Sequence, residues 1–152
     1  MKIALYQPDI AQNLGAAMRL SACFGVSLEI IEPCGFPLTS KALRRTAMDY
    51  GEPESLIRHK SWDEFRDSES QAGSRLVLLT TKAAQPITDF TFDAGDTLLF
   101  GRESAGVPNE VHDAADARIY IPLAGNARSF NLVSSASIAL FEALRQTGEL
   151  PL

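Results

Sequence analysis

The chain has little cysteine and histidine, and it lacks the long apolar runs of membrane proteins. Its cysteines, Cys23 and Cys34, and its histidines, His59 and His112, do not occur at a spacing typical of a zinc site, so we assign no metal. No secretory signal follows Met1, and no apolar run is long enough to span a membrane. We therefore expect a cytoplasmic protein with free thiols and no membrane partner.

Positive charge is also scarce. The sequence has 14 lysines and arginines against 19 aspartates and glutamates, a formal net charge of −5. Proteins that hold nucleic acid by bulk electrostatics depend on many phosphate contacts from lysine and arginine. Any RNA contact must therefore be local. Lys41, Arg44 and Arg45 form a candidate patch, with a solvated helix face as the alternative interpretation.

Motifs of common nucleotide and hydrolase chemistry are missing. The turn over residues 7–15 lacks Gly-x-Gly-x-x-Gly, so a nicotinamide or flavin site loses its main support. No Gly-x-x-x-x-Gly-Lys-Ser/Thr loop is present to bind a nucleoside triphosphate. Neither Ser104 nor Ser129 lies in a Gly-x-Ser-x-Gly elbow, which argues against a serine hydrolase.

Buried strands alternate with amphipathic helices in a chain of 152 residues, long enough for one core. Strands are predicted over residues 2–6, 26–31, 56–57, 75–81, 97–100 and 118–121. Helices are predicted over 11–24, 40–48, a short segment opened by a capping box at 61–64, another starting near 109, and 131–147; residues 83–94 are predicted as loop. This pattern predicts one Rossmann-like α/β domain over 1–152, with a mainly parallel sheet covered by helices on both faces.

Residues 121–132 lead from a predicted strand into the last predicted helix. They place Ser129 and Asn131 at the mouth of that helix. The first amides of a helix have no partner within it and attract polar ligand groups. The stretch therefore predicts a pocket for a small polar ligand, with a simple helix cap as the alternative interpretation.

Two other segments carry glycines and polar residues after predicted strands. Residues 98–108 include Gly101 and Glu103, and residues 13–19 begin at Asn13. Open α/β sheets bind ligands beyond the carboxyl ends of their strands, so we expect a site at the ends of the predicted strands near Thr80, Gly101 and Ile121. Taken singly, Asn13 could cap a helix, Glu103 could be a surface acid and Gly101 could relieve backbone strain.

Together and in this order, the three segments resemble the signature motifs of the SPOUT-class RNA methyltransferases, which have a trefoil-knotted backbone. The resemblance covers nearly the whole chain. It is carried by Tyr6-Gln-Pro8, Asn13-x-Gly15-x-x-x-Arg19, Ile31-Glu-Pro33, Leu43-Arg-Arg45, Asp49-Tyr50, Leu79-Thr-Thr-Lys82, Phe100-Gly-x-Glu-x-x-Gly-x-Pro108, Ile121-Pro122 and Ser129-x-Asn131. It is closest to the minimal single-domain subgroup, the TrmL (YibK) type, whose members methylate ribose 2'-oxygens at the tRNA wobble nucleotide.

The resemblance implies a fold, a cofactor and partners. The expected fold is the SPOUT fold with a deep C-terminal trefoil knot, which only the family match supports because chains rarely thread their own loops. The expected cofactor is S-adenosylmethionine, with S-adenosylhomocysteine as product. It would be bound by Leu79, Thr80, Gly101, Ile121, Leu123, Ser129 and Leu132. The expected partners are a second copy, which completes the active site of a homodimer, and the tRNA anticodon stem-loop, which the patch of Lys41, Arg44 and Arg45 would contact.

The same resemblance implies catalytic positions at Asn13, Arg19, Glu103, Ser129 and Asn131. Arginine is almost never deprotonated in proteins. We therefore expect Arg19 to position phosphate and to stabilise the developing oxyanion, and not to act as a base. Glu103 is expected to orient Arg19 or the loop of the third motif.

The expected function is 2'-O-methylation of the wobble pyrimidine of tRNA, cytidine or a modified uridine. Methylation at another tRNA nucleotide and a catalytically silent cofactor-binding or RNA-binding homologue are the alternatives. A ribosomal RNA enzyme is disfavoured because the chain has no room for an added RNA-recognition domain. The sequence departs from the family pattern at Phe130, where Leu or Met is usual, and at Val133, where a small polar residue is usual.

Overall fold

A computed structural model of the chain describes residues 1–39, 41, 56–125 and 127–151. Its strands are β1 (Lys2–Tyr6), β2 (Ser27–Ile31), β3 (Ile57–His59), β4 (Leu76–Leu79), β5 (Gln85–Pro86), β6 (Thr97–Phe100) and β7 (Ala117–Tyr120). Its helices are α1 (Ala11–Phe24), α2 (Trp62–Ala72), α3 (Asn109–Ala114) and α4 (Leu132–Thr147), with a 3-10 turn over Ile87–Asp89. The helix predicted over residues 40–48 lies outside the described residues, apart from position 41.

The seven strands form one sheet in the order β3-β2-β1-β6-β4-β7-β5, and every pair in it is parallel. Because parallel strands end at the same edge, the carboxyl ends of β1, β6, β4 and β7 lie in a row. The sheet confirms the predicted α/β class. The trefoil knot stays a prediction.

Alternate residues of the strands fill a separate core on each face of the sheet. In β1, Ile3 and Leu5 belong to the core that includes residues of α1 and α4. Ala4 and Tyr6 belong to the other core, with residues of α2 and α3. Side chains of a strand point to alternate faces, and both faces here are apolar because both are covered by helices. The predicted helices on both faces are confirmed.

A buried polar cluster ties α2 to the beginning of the sheet. Glu69 of α2 is an ion-pair partner of Lys2 and accepts a hydrogen bond from the Thr97 hydroxyl. Lys2 also lies 3.5 Å from Glu29, whose other carboxylate oxygen is 2.6 Å from His59 Nε2. Buried charges need such partners, since an unpaired one is costly to desolvate.

Residues 83–94, predicted as loop, contain a strand and a 3-10 turn, so that prediction is wrong. β5 lies at the edge of the sheet and pairs with β7, with Gln85 opposite Ile119 and Pro86 opposite Tyr120. Proline is tolerated at an edge because it need not donate to a further strand. The segment has no local periodicity because it is held by tertiary contacts, including buried Phe90, rather than by an amphipathic pattern of its own.

The helix predicted from residues 61–64 begins as expected. Ser61 Oγ accepts a hydrogen bond from Glu64 N at 3.2 Å, and the Glu64 carboxylate accepts one from Lys60 N at 2.6 Å.

Cys23 and Cys34 are both free. No helix within the described part of the chain is long and apolar enough to cross a membrane.

Leu99 tests the position of the core, because it is fully buried in β6 at the centre of the sheet. We expect Leu99→Ala to lower the free energy of unfolding by ~2–5 kcal/mol, since it removes a buried side chain and leaves a cavity. Urea unfolding followed by circular dichroism would measure the loss. Ile57→Ala, at an exposed position of the edge strand β3, is the control and should cost less than half as much. Equal losses would contradict this assignment.

Candidate active site

A cavity of roughly 400 Å³ lies at the carboxyl ends of β6, β4 and β7. Its volume is in the range of small-molecule binding sites. Ten of the residues named from the sequence line it: Asn13, Leu79, Thr80, Gly101, Glu103, Ile121, Leu123, Ser129, Asn131 and Leu132. The structure thus brings the three motif segments to one place, beyond the strand ends where ligands of open α/β sheets bind.

Glycine shapes one wall of the cavity. The chain turns back sharply after β6, so that Arg102 and Gly106 exchange two backbone hydrogen bonds of 2.9 Å. A Cβ atom at Gly101 would lie 2.6 Å from the carbonyl carbon of Gly106. Gly106 itself has φ +65°, which side chains disfavour. Gly101 is therefore required by the close approach of two backbone segments at the cavity wall.

Three side chains, one from each motif segment, form a hydrogen-bonded row at the cavity. Asn13 Nδ2 donates to Glu103 Oε1 at 3.0 Å, and Asn131 Nδ2 donates to Asn13 Oδ1 at 3.2 Å. Asn131 Oδ1 in turn accepts from the backbone amides of Val133 and Ser134, at 2.9 and 3.2 Å. The row therefore runs from a carboxylate to the first turn of α4.

The chemistry of the two ends fixes the direction of this row. An ionised carboxylate can only accept hydrogen bonds, and the free amides of a helix can only donate them. Both asparagine side chains must then turn their Nδ2 groups towards Glu103 and their Oδ1 atoms towards α4. Asn131 is thus a helix cap and also a member of the row. Asn13 is not a cap, because the N-cap of α1 is Ile10.

Glu103 uses both of its carboxylate oxygens. Oε1 accepts from Asn13, and Oε2 accepts from the backbone amide of Asp9 at 2.8 Å. Glu103 is only partly exposed, so it is not the freely solvated surface acid of the alternative interpretation. This arrangement holds the carboxylate in a fixed orientation between the segment after β1 and the turn after β6.

Arg19 lies apart from the cavity lining. It is exposed on α1, about two turns after Asn13. Lys41 is exposed as well, while Arg44 and Arg45 lie outside the described residues. The structure therefore groups Asn13, Glu103, Ser129 and Asn131 but does not bring Arg19 of the same chain to them.

Other residues line the cavity that the sequence patterns did not single out. The half-exposed Phe130, where the sequence departs from the family pattern, lines the cavity too. The residues that were not singled out include Ile10, Lys82 and Tyr120. Lys82 belongs to a quoted motif and could have been named. The others have no local signal, since only the folded chain brings their segments together. Val133 takes part through its backbone amide, so an apolar side chain there leaves the cap of α4 intact.

Among the residues that the structure describes, neither a reactive thiol nor a metal cluster lies near this row. Burial, the largest cause, raises the pKa of Cys34 to about 12, so the thiol stays protonated at neutral pH and is a poor nucleophile. Within the ranges that the structure describes, no group of three or more His, Cys, Asp or Glu could hold a metal ion.

Known proteins resemble the chain along nearly its whole length. Residues 1–141 match the SpoU rRNA Methylase family. A tRNA (cytidine(34)-2'-O)-methyltransferase of Beijerinckia indica is 55% identical over 148 residues, which cover 97% of this chain and 92% of that protein. A solved structure described as giving insights into the 2-OH methylation of C/U34 on tRNA is 36% identical, with a TM-score of 0.88, and covers 95% of this chain and 94% of that one.

A longer protein has the same fold over part of its length. An AdoMet-bound rRNA methyltransferase from Sinorhizobium meliloti is 27% identical with a TM-score of 0.82, covering 95% of this chain but 55% of that one. The parallel sheet, the cavity at its carboxyl edge and these matches agree with the resemblance drawn from the motifs. The chain belongs to the SpoU methylase family of RNA methyltransferases, which have the SPOUT fold.

Proposed function

We propose that the protein is an S-adenosylmethionine-dependent tRNA methyltransferase that modifies the ribose 2'-oxygen of the wobble pyrimidine, cytidine or modified uridine. The observation that carries this proposal is the hydrogen-bonded row of Glu103, Asn13 and Asn131 at the cavity. It joins the three motif segments, and it arranges polar groups beside a pocket large enough for a small-molecule cofactor.

The relatives that match the chain along nearly their whole length support tRNA as the substrate class. The chain covers 92% of the Beijerinckia tRNA enzyme but only 55% of the Sinorhizobium rRNA enzyme. Nearly half of that rRNA methyltransferase therefore has no counterpart in this sequence. We therefore infer that this chain acts on tRNA, like the relative that matches it along nearly its whole length.

The cavity suits S-adenosylmethionine, which supplies a methyl group on a positively charged sulfur when bound. Apolar walls suit its adenine ring and the methylene groups of its methionine arm, and they include Phe100 and Leu132. The turn of Gly101 offers backbone groups close to the cavity. We assign cofactor binding to Leu79, Thr80, Gly101, Ile121, Leu123, Ser129 and Leu132.

The polar residues position the reacting ribose. Ser129 and Asn131 lie at the entry of α4, where hydroxyl and amide groups can orient a 2'-hydroxyl next to the methyl donor. Glu103 already accepts two hydrogen bonds, so we give it the role of orienting Asn13. Because arginine is almost never deprotonated in proteins, we give Arg19 the role of stabilising the oxyanion that develops on the ribose.

Nucleoside mapping tests the reaction and its position. Incubation of unmodified tRNA with the protein and methyl-labelled cofactor should give a 2'-O-methyl pyrimidine at position 34, detected by mass spectrometry. Arg19→Ala should lower the rate by roughly 100-fold or more, since one oxyanion-stabilising contact is worth that much. Arg66→Ala, at an exposed position of α2, is the charge-matched control and should retain full activity.

Different results would favour the alternatives. Label on a base atom would contradict 2'-O-methylation, and ribose label at another nucleotide would contradict the wobble position alone. Cofactor binding by calorimetry without turnover on any tRNA pool would indicate a silent homologue.

A second copy would complete the site. Ile138 and Phe141 on α4 are 40% and 50% exposed, which is unusual for large apolar side chains on a helix that also carries the core. Arg19 is exposed on α1, the neighbouring helix on the same face of the sheet. Docking of two copies through these helices would cover the apolar surface and could bring Arg19 of one copy to the cavity of the other.

Mixing two inactive variants tests whether Arg19 acts across the dimer. Arg19→Ala has an intact cavity, and Asn131→Asp keeps a capping oxygen for α4 but cannot donate to Asn13. An equimolar mixture should recover about a quarter of the wild-type rate, since about half of its dimers are mixed and each mixed dimer has one complete site of two. No recovery, in a mixture shown by mass spectrometry to contain mixed dimers, would place Arg19 in its own subunit's site.

Charge reversal tests the basic patch. The triple variant Lys41→Glu, Arg44→Glu, Arg45→Glu should raise the KM for tRNA roughly ten-fold or more and weaken its dependence on salt, because phosphate contacts are lost. The Kd for S-adenosylmethionine, measured by calorimetry, should not change. A parallel loss of cofactor affinity would indicate misfolding, and an unchanged KM would leave the patch as a solvated face.

A further inference from the structure

Asp9 donates one hydrogen bond to the turn after β6 and accepts two from it. The Asp9 backbone amide donates to Glu103 Oε2 at 2.8 Å. In return, Asp9 Oδ2 accepts from the backbone amide of Ser104 at 3.1 Å and from the Ser104 hydroxyl. Residues that are distant in sequence are therefore joined by three hydrogen bonds between one aspartate and one pair of neighbouring residues.

Arg102 makes a second set of contacts between the end of β1 and the turn after β6. The Arg102 guanidinium donates to Gln7 Oε1 and lies 5.9 Å from the centre of the Tyr6 ring, within the range of a cation–π contact. Gln7 has φ +45°, a conformation that costs energy in a residue with a side chain and persists only where the surroundings enforce it. We use the name loop clamp for the contacts of Gln7 and Asp9 with Arg102, Glu103 and Ser104.

The backbone at Pro8 and Asp9 is in contact with Gly35. Gly35 donates its amide to the Pro8 carbonyl at 3.0 Å. A Cβ atom at position 35 would lie 3.0 Å from the Asp9 Cα atom, so the two segments are in close contact. Asp9 therefore sits on a supported backbone, and its contacts can hold the turn after β6.

The loop clamp determines where Glu103 points. Asp9 N and Asn13 Nδ2 each bond one oxygen of the Glu103 carboxylate, and Ser104 is fixed by the Asp9 side chain. Without the Asp9 carboxylate, the turn would lose the two hydrogen bonds from Ser104, and the Glu103 side chain could rotate. The orientation of Asn13 and Asn131 depends on Glu103, because Asn13 donates to its carboxylate and Asn131 donates to Asn13.

We propose that Asp9 is a positioning residue of the methyltransferase site, which acts through Ser104 and Glu103 to orient Asn13 and Asn131 for methyl transfer. Asp9 is not among the residues that line the cavity, whereas Glu103 and Ser104 are. The hydrogen bonds from the Ser104 hydroxyl and amide lower the pKa of the Asp9 carboxyl, so it is ionised at neutral pH and can accept both. This inference rests on the proposed function for its effect on the rate, but its effect on the two asparagines does not.

Kinetics of three variants test the effect on the rate. Asp9→Ala should lower kcat roughly 10- to 100-fold, as small displacements of positioned groups do. The KM for tRNA and the Kd for S-adenosylmethionine should stay within about two-fold of wild type. Asp9→Asn keeps an oxygen for Ser104 and should recover part of kcat, whereas Asp67→Ala, at an exposed position of α2, should change nothing.

A double variant tests whether Asp9 acts through Ser104. Ser104→Ala removes only the hydroxyl bond and should cost less than Asp9→Ala. In Asp9→Ala/Ser104→Ala the loss should not exceed that of Asp9→Ala alone, because residues in one network do not act additively. Losses that multiply would overturn the route through Ser104.

Nuclear magnetic resonance tests the positions of the asparagines without any activity. In ¹⁵N-labelled protein, Asp9→Ala should shift or broaden the side-chain Nδ2 signals of Asn13 and Asn131, assigned by Asn13→Ala and Asn131→Asp, and the unfolding midpoint in urea should stay close to wild type. Unmoved asparagine signals would overturn the proposal, as would a fall in kcat explained wholly by lost stability. If wild type methylates no tRNA but these signals move, the proposed function fails and the positioning of the asparagines by Asp9 stands.

Discussion

The orientation of the candidate site depends on one constraint, the carboxylate of Glu103, which can only accept hydrogen bonds. The amides at the beginning of α4 can only donate them, and Asn13 and Asn131 lie between these two ends. Neither amide can reverse without setting two donors or two acceptors against each other. Two flexible side chains thereby acquire one arrangement before any ligand binds, which is the preorganisation that catalytic sites require.

The strand order makes this constraint possible. β1 lies next to β6 and β7 lies next to β4, so three segments far apart in sequence leave the sheet at the same edge. Each supplies one member of the row: Asn13 follows β1, Glu103 follows β6, and Asn131 follows β7. A sheet in chain order would separate them. The two cores that fix the strand order therefore also determine the geometry of the site.

The sequence predicted the parts of this structure that have a local cause. Strands such as β1 and β6 are buried on both faces and read as apolar runs, and Ser61 carries a capping pattern that the structure confirms. β5 has only two residues and depends on its neighbour β7, so no local pattern indicated it. The motifs placed Asn13, Glu103 and Asn131 in one site only through resemblance. No sequence pattern indicated the loop clamp, since it joins residues that only the fold brings together.

These contacts suggest where the rate of methyl transfer would be controlled. Transfer to a hydroxyl needs the oxygen in line with the methyl group and stabilisation of the charge that develops on it. Arginine is almost never deprotonated in proteins and so is a poor base, and both oxygens of Glu103 already accept hydrogen bonds. The named residues are therefore suited to position and to polarise, and less to act as a strong base. If positioning sets the rate, residues that hold the row in place matter nearly as much as those in it, and Asp9 and Ser104 would then influence the rate through their hydrogen bonds to each other and to Glu103.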